Sequence, residues 1–215
     1  MAKASHISKI KTQRFYDRIA DVHNLVMSVN GYQSSVAKYL RSLDLNLDEN
    51  SLVLDAGSGT GIVTLGFYGA GFRARQTFAL DLSFNSLKIA REQFESDNKT
   101  EAENISAVQA NVLQMPFADD TFDLVLSCGV LEYVSVQAGL GEFARVLKKG
   151  SHLVLIPVRP SIVGSILEVL YKFKTRSIEE TERISRQYFE TIGKHKFHLT
   201  EPIGWSKMIF LLQKK

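Results

Sequence analysis

The stretch of this chain best suited to holding a ligand is Asp55-Ala56-Gly57-Ser58-Gly59-Thr60-Gly61, an acid followed by glycines at alternate positions. It continues directly from the apolar run Leu52-Val53-Leu54, so the pattern predicts a buried parallel strand ending in a tight turn. Gly57, Gly59 and Gly61 lack a Cβ, so the backbone can take positive φ and a cofactor can lie against it. Asp55 stands at the carboxyl end of the strand, where open α/β sheets bind their ligands. The dinucleotide fingerprint Gly-x-Gly-x-x-Gly would need glycine at the position of Ile62, a bulky β-branched residue. An acid heading the loop repels a pyrophosphate and suits a nucleotide-like ligand that carries an ammonium group. A purely structural glycine turn is the alternative.

A second apolar run, Thr77-Phe78-Ala79-Leu80, ends in Asp81-Leu82-Ser83. An acid at that distance from the glycines can grip ribose hydroxyls, since a carboxylate accepts two hydrogen bonds and matches a vicinal diol. Alternatively, Asp81 caps the helix after Ser83, whose apolar face is Leu87, Ile89, Ala90 and Phe94.

Together these segments resemble the class I S-adenosylmethionine-dependent methyltransferases, with Asp55 to Gly61 as their first motif. Two further segments extend the resemblance. Ala110 to Phe117 is similar to the family's loop after the third strand, usually Gly-Asp-Ala-x-x-Leu-Pro-Phe, whose acid meets the adenine amine. Here Asn111 replaces that acid; its side-chain oxygen can still accept from the amine, and Val112 offers an amide and an apolar flank. A plain turn residue is the other reading of Asn111. Phe122 to Val134 resembles the fourth strand and its turn, which implies that Ser127 to Val130 lie beneath the sulfonium. Tyr133 replaces the frequent histidine of that turn, removing a general base with a pKa near neutrality. Of the Glu-x-x-Glu-His metal ligands found in some members, only Glu132 survives, beside Gly129 and Tyr133, so no metal is expected.

The resemblance thus implies S-adenosylmethionine as cofactor, held by Asp55, Gly57, Ser58, Gly59, Gly61, Asp81, Leu82, Asn111, Val112 and Ser127. Phe15 to Asn24 resembles the entry helix of the ubiquinone and menaquinone biosynthesis-type members. That likeness makes Tyr16 and His23, with Tyr133, the candidates for a base, although His23 also reads as a half-buried helix residue. An activated carbon or oxygen acceptor needs no base.

These residues must be positioned by one domain spanning 1–215. Apolar spacing predicts two N-terminal helices within residues 1–50, the second carrying Val36, Leu40 and Leu43, ahead of a cofactor-binding core over 51–157. Gly139 to Leu147 resembles the family's helix before the fifth strand, whose motif Glu-x-x-Arg-Val-Leu-Lys-x-Gly runs here from Glu142 through Arg145 to Gly150, with Gly150 just past the helix end, and Ser151 to Pro157 reads as the fifth strand. Residues 158–194 read as a helical lid. Ile162, Val163, Ile166, Leu167, Val169, Leu170 and Phe173 form an apolar face, and Ser177 opens a second helix as N-cap with Glu180 three residues on. Residues 195–200 and 205–213 read as a closing strand pair. Pattern alone gives some five strands; the resemblance implies an α/β, Rossmann-like, seven-stranded and mostly parallel sheet, with helices on both faces and an antiparallel last strand.

The apolar face points to a small, hydrophobic or lipid-like acceptor, or to membrane-surface contact aided by Lys172, Lys174 and Arg176; the alternative is that it packs on the sheet. With 26 Lys and Arg against 23 Asp and Glu, scattered along the chain, nucleic acid is disfavoured. Cys128 alone excludes an internal disulfide. No membrane-spanning run or secretory signal is seen, so a cytoplasmic location is expected. The early bases Lys3, Lys9, Lys11 and Arg14 read as a solvated arm or an organelle-targeting leader. Two rival functions stand beside methyl transfer. One is an idle S-adenosylmethionine-binding or interaction protein; the other is a NAD(P)-dependent oxidoreductase, which Ile62 opposes.

Overall fold

A computed structural model describes residues 31–171, 173–197, 201 and 205–215 of the chain. Seven strands build a single sheet: β1 (Leu52–Ala56), β2 (Gln76–Asp81), β3 (Ile105–Gln109), β4 (Phe122–Cys128), β5 (Leu147–Ile156), β6 (Phe189–Lys196) and β7 (Met208–Lys214). Their order across the sheet is β3-β2-β1-β4-β5-β7-β6. Strands β1 to β5 pair in parallel, and β7 is antiparallel to both of its neighbours. This is the sheet that the resemblance implies. The order reverses beside β1, which creates the crevice where doubly wound sheets take their ligands.

Both faces of the sheet are buried because apolar side chains continue on either side of each central strand. Leu54, Val125, Leu153, Leu155, Phe210 and Leu212 face one core. Their neighbours Val53, Leu124, Leu126, Val154, Ile209 and Leu211 face the other. The helices α1 (Tyr32–Arg41) and α2 (Ile62–Gly69) cover the second face through Val36, Leu40, Val63 and Phe67. Helix α3 (Phe84–Ser96) packs through Ala90 and Phe94 onto Leu65 and Ala79. On the first face, α4 (Val136–Val146) contributes Leu140 and Phe143, and α6 (Ile178–Ser185) contributes Ile184. Phe78, Phe117 and Phe122 meet edge-on there, with centroids 4.9 to 5.7 Å apart, a geometry that adds to the area they bury. The first of the two expected N-terminal helices lies outside the described residues.

Three boundaries depart from the sequence reading. Pairing in β5 begins at Leu147, directly after α4, because Thr121 and Asp120 amides already donate to the carbonyls of Val146 and Arg145. Gly150, at φ +78°, therefore sits in a bulge of the strand and not at a helix end. Strand β6 starts at Phe189, inside the segment assigned to the helical lid. Its solvent-facing Glu190, Lys194 and Lys196 suit an unpaired sheet edge, and their charge imitates an exposed helix in the sequence. Within that segment α5 (Ile162–Tyr171) and α6 do form, and the Ser177 hydroxyl accepts the Glu180 amide as expected of an N-cap.

Candidate functional site

The glycine loop joins β1 to α2 at the carboxyl edge of the sheet, and its three glycines take φ of +77°, +53° and +87° at 57, 59 and 61. The Gly57 and Ser58 amides both donate to the Leu80 carbonyl, at 2.7 and 2.9 Å, so the loop is anchored on β2. The three positions serve different ends. A Cβ on Gly57 would fall 2.1 Å from Val130 Cγ2, and one on Gly61 would fall 2.5 Å from the Phe94 ring. At Gly59 nothing lies within 4 Å of that point. Gly57 and Gly61 permit close packing, whereas Gly59 turns its bare face to open space.

The two acids stand at neighbouring strand tips. Asp55 is fully buried, and its Oδ2 accepts from the Thr64 amide at 3.1 Å and the Thr64 hydroxyl at 2.7 Å, fixing the first turn of α2. Burial raises its pKa to about 7, against the lowering effect of the Thr64 bonds, and the nearby Asp81 charge adds to the rise. Asp81 accepts the Gly59 amide on Oδ2 at 2.9 Å and the Ser83 amide on Oδ1 at 2.8 Å. The helix cap itself is Ser83, whose hydroxyl accepts from Ser86. Asp81 thus holds the tip of the glycine loop as well as the turn at Leu82, whose carbonyl accepts from Gln109.

Asp55 Oδ1, Ser58 Oγ and Thr60 Oγ1 are all buried without a hydrogen-bond partner among the described residues. Buried polar atoms are almost always satisfied. Three unsatisfied oxygens on one loop, one of them on a carboxyl, fit a polar, ammonium-bearing ligand better than a structural turn.

Asn111 Oδ1 accepts the Leu113 amide at 3.2 Å, and the Gln114 amide closes on the Asn111 carbonyl. Asn111 is therefore a turn-former whose oxygen keeps a second lone pair, next to the buried Val112. The turn is clamped by the Glu142/Arg145 pair of α4. Glu142 Oε1 accepts the Met115 amide at 2.7 Å, and Arg145 donates to the Met115 and Phe117 carbonyls and to both Glu142 and Asp119 carboxylates. Bonding to Arg145 draws the Glu142 pKa down, and the same bonds push that of Arg145 up. Replacing Arg145 with Ala removes a donor from two carbonyls and two carboxylates. It should lower stability by about 2 kcal/mol, read by urea denaturation, and weaken adenosine-ligand binding measured on the folded fraction. Unchanged binding would separate the clamp from the site.

Ser127 is wholly buried and donates to the Ala56 carbonyl at 3.0 Å, so its hydroxyl locks β4 to β1. Tyr133 stacks edge-on with Phe173, centroids 5.4 Å apart, which links the turn after β4 to the segment after α5. Tyr16 and His23 lie outside the described residues. Among the described residues no group of three His, Cys, Asp or Glu side chains could hold a metal ion, and no helix is long and apolar enough to cross a membrane.

Sequence reasoning missed a polar group beside Cys128. The Tyr32 hydroxyl lies 2.8 Å from Cys128 Sγ, and Lys207 Nζ lies 3.6 Å from the same sulfur. Buried Glu132 accepts the Val158 amide on Oε1 while its Oε2 has no partner. The one available signal was Lys207 itself, a cation opening the apolar run Met208-Ile209-Phe210.

Comparison with known proteins agrees with this geometry. A family model described as a methyltransferase domain matches residues 54–155. The ubiquinone/menaquinone biosynthesis C-methyltransferase of Pectobacterium carotovorum is 30% identical over 149 residues, covering 69% of this chain and 57% of that protein. A demethylmenaquinone methyltransferase of Shouchella clausii is 29% identical over 180 residues, covering 80% and 74%. The chain thus spans little more than half of the Pectobacterium relative. In fold, the geranyl diphosphate C-methyltransferase of Streptomyces coelicolor superposes with a TM-score of 0.68 at 16% identity, over 85% of this chain and 79% of that one. The sheet order, the acid-headed glycine loop and these matches agree: the chain belongs to the class I S-adenosylmethionine-dependent methyltransferases.

Proposed function

We propose that this protein uses S-adenosylmethionine to methylate a small, apolar, quinone-like acceptor. The observation that carries the cofactor is the trio of buried, unpartnered oxygens on Asp55, Ser58 and Thr60, beside Asp81 at the adjoining strand tip. Asp55, Ser58 and Thr60 would hold the amino-acid end, with Gly57, Gly59 and Gly61 giving backbone access. Asp81 would grip the ribose beside Leu82, and Asn111 with Val112 the adenine. When bound, the cofactor supplies an electrophilic methyl carbon on a charged sulfur. The protein's part is to align the acceptor and keep out water; Ser127 sets the floor between β1 and β4, and Tyr133 packs toward the lid.

For the acceptor, the support is chemical. The named relatives act in quinone biosynthesis, and α5 turns Ile162, Ile166 and Val169 outward, with Ile162 85% and Val169 82% exposed. These three side chains do not pack on the sheet. With Lys174 and Arg176 close in sequence, it suits contact with an anionic membrane surface from which an apolar acceptor is drawn.

The test is transfer of a tritiated methyl group into a solvent-extractable product from demethylated quinols. Ile162→Ser/Ile166→Ser/Val169→Ser should lower turnover on vesicle-borne acceptor and leave adenosine-ligand binding intact. Tight S-adenosylhomocysteine binding without transfer to any quinol or phenol would favour an idle binding protein. Uptake of NADH instead would end the reading.

A further inference from the structure

We propose that Lys207 holds the oxygen of the acceptor as an anion, which makes an enolate- or phenolate-forming compound the class of molecule this site takes. The inference rests on the methyltransferase reading and names the group that selects the acceptor.

Strand β7 runs against its neighbours, so its start lies at the same edge as the ends of β4 and β5. Lys207 precedes β7 and bridges to Val158, just past the end of β5, which carries it to the turn after β4. Its side chain is almost fully covered, the residue being 6% exposed. The ammonium lies against Gly129: a Cβ built there would meet Nζ at 3.0 Å. Gly129, at φ +68°, thus leaves the room that Nζ occupies.

A buried ammonium needs an opposite charge or several strong acceptors. Among the described residues no carboxylate lies within ion-pair distance of Lys207. Its nearest polar neighbour is the Cys128 sulfur, a weak acceptor. Burial raises the Cys128 pKa despite the lowering effect of Lys207, so the sulfur stays a neutral thiol. Burial also holds the Tyr32 hydroxyl protonated. Glu132 commits Oε1 to the Val158 amide, and its buried, unpartnered Oε2 makes no ion pair with Lys207. Lys207 Nζ is therefore set into the edge where the methyl group is expected, with no carboxylate in contact with it among the described residues.

An anionic oxygen on the acceptor supplies the missing partner through a charge-assisted hydrogen bond. By favouring the ionised acceptor, Lys207 lets the acidic proton leave to solvent. No histidine base is then required, in keeping with tyrosine at 133. Lys207 acts on the acceptor's ionisation and not on the adenosine ligand.

The probe is 4-nitrophenol, whose yellow phenolate reports ionisation directly, titrated against the full chain saturated with S-adenosylhomocysteine. The wild-type protein should shift ionisation of the bound phenol about one pH unit downward, a tenfold gain in phenolate. Lys207→Met should abolish the shift, and Lys207→Arg should keep most of it, with both variants binding S-adenosylhomocysteine as the wild type does. A shift that survives in Lys207→Met, or no phenolate signal from protein that has bound S-adenosylhomocysteine, overturns the inference alone. Failure of the wild type to take up S-adenosylhomocysteine would bring down the cofactor reading, and this inference with it.

Discussion

Replacing Asp55 with Asn should weaken S-adenosylmethionine binding at pH 8 by on the order of a hundredfold, about 2.7 kcal/mol, while making the ligand-free protein more stable at that pH. Both effects follow from one buried carboxyl whose pKa stands at about 7 in the folded chain. In the unfolded chain an aspartate titrates near 3.9. The folded state favours the protonated form, so folding takes up a proton between those two values. The ligand-free protein loses stability as the pH rises through that window and changes little from this group above it. Asn cannot ionise and can still accept from Thr64, so the fall in melting temperature that this carboxyl causes across the same range should be missing from the variant.

Ligand binding runs the opposite way. An ammonium placed against Asp55 Oδ1 favours the carboxylate, so binding releases a proton below about pH 7 and affinity climbs as the pH approaches that value. The ligand's own amine titrates identically in both variants, so the difference between wild type and Asp55→Asn isolates the carboxyl. Calorimetry in buffers of unlike ionisation enthalpy reads the released proton directly. Equal affinity in the two variants at pH 8, or no pH dependence of their difference, would remove Asp55 from the ligand and leave it as the anchor of Thr64.

The parts of the fold that were legible in the sequence share one property: local pattern and tertiary packing demand the same residue. Leu52 to Gly61 is such a case, since apolar run, acid and glycines all follow from a buried strand meeting an open loop. Ser177 is another, because an N-cap is settled within one turn. The start of β6 was illegible because an edge strand with Glu190, Lys194 and Lys196 carries the charge pattern of an exposed helix. Gly150 was misread because positive φ serves a bulge and a helix end equally well, and only the pairing of Leu147 with Phe122 decides between them. In the site, the strand-tip acids could be found from spacing. The Glu142/Arg145 clamp was recognised as a motif, but its purpose lies in carbonyls of the loop that follows β3. Lys207 and Tyr32 were invisible because they reach Cys128 from opposite ends of the chain, 79 and 96 positions away.

The glycine loop permits the sharpest separation of fold from function. Gly57→Ala sets a methyl group 2.1 Å from Val130 Cγ2 at a residue with φ +77°, adding overpacking to a left-handed backbone. Together these should cost about 3 kcal/mol of stability, visible as an earlier urea midpoint. Gly59→Ala meets nothing within 4 Å and bears only the left-handed penalty at φ +53°, about 1 kcal/mol. Its methyl group, however, projects into the space on which a ligand would lie. Gly59→Ala should therefore stay folded and lose adenosine-ligand binding by tenfold or more, roughly 1.4 kcal/mol or above, whereas Gly57→Ala should lose stability first and binding only as a consequence. Equilibrium denaturation and calorimetry on the same preparations distinguish the two. If Gly59→Ala binds S-adenosylhomocysteine as the wild type does, the open side of the loop is not where the ligand rests. The unsatisfied oxygens of Asp55, Ser58 and Thr60 would then need another partner.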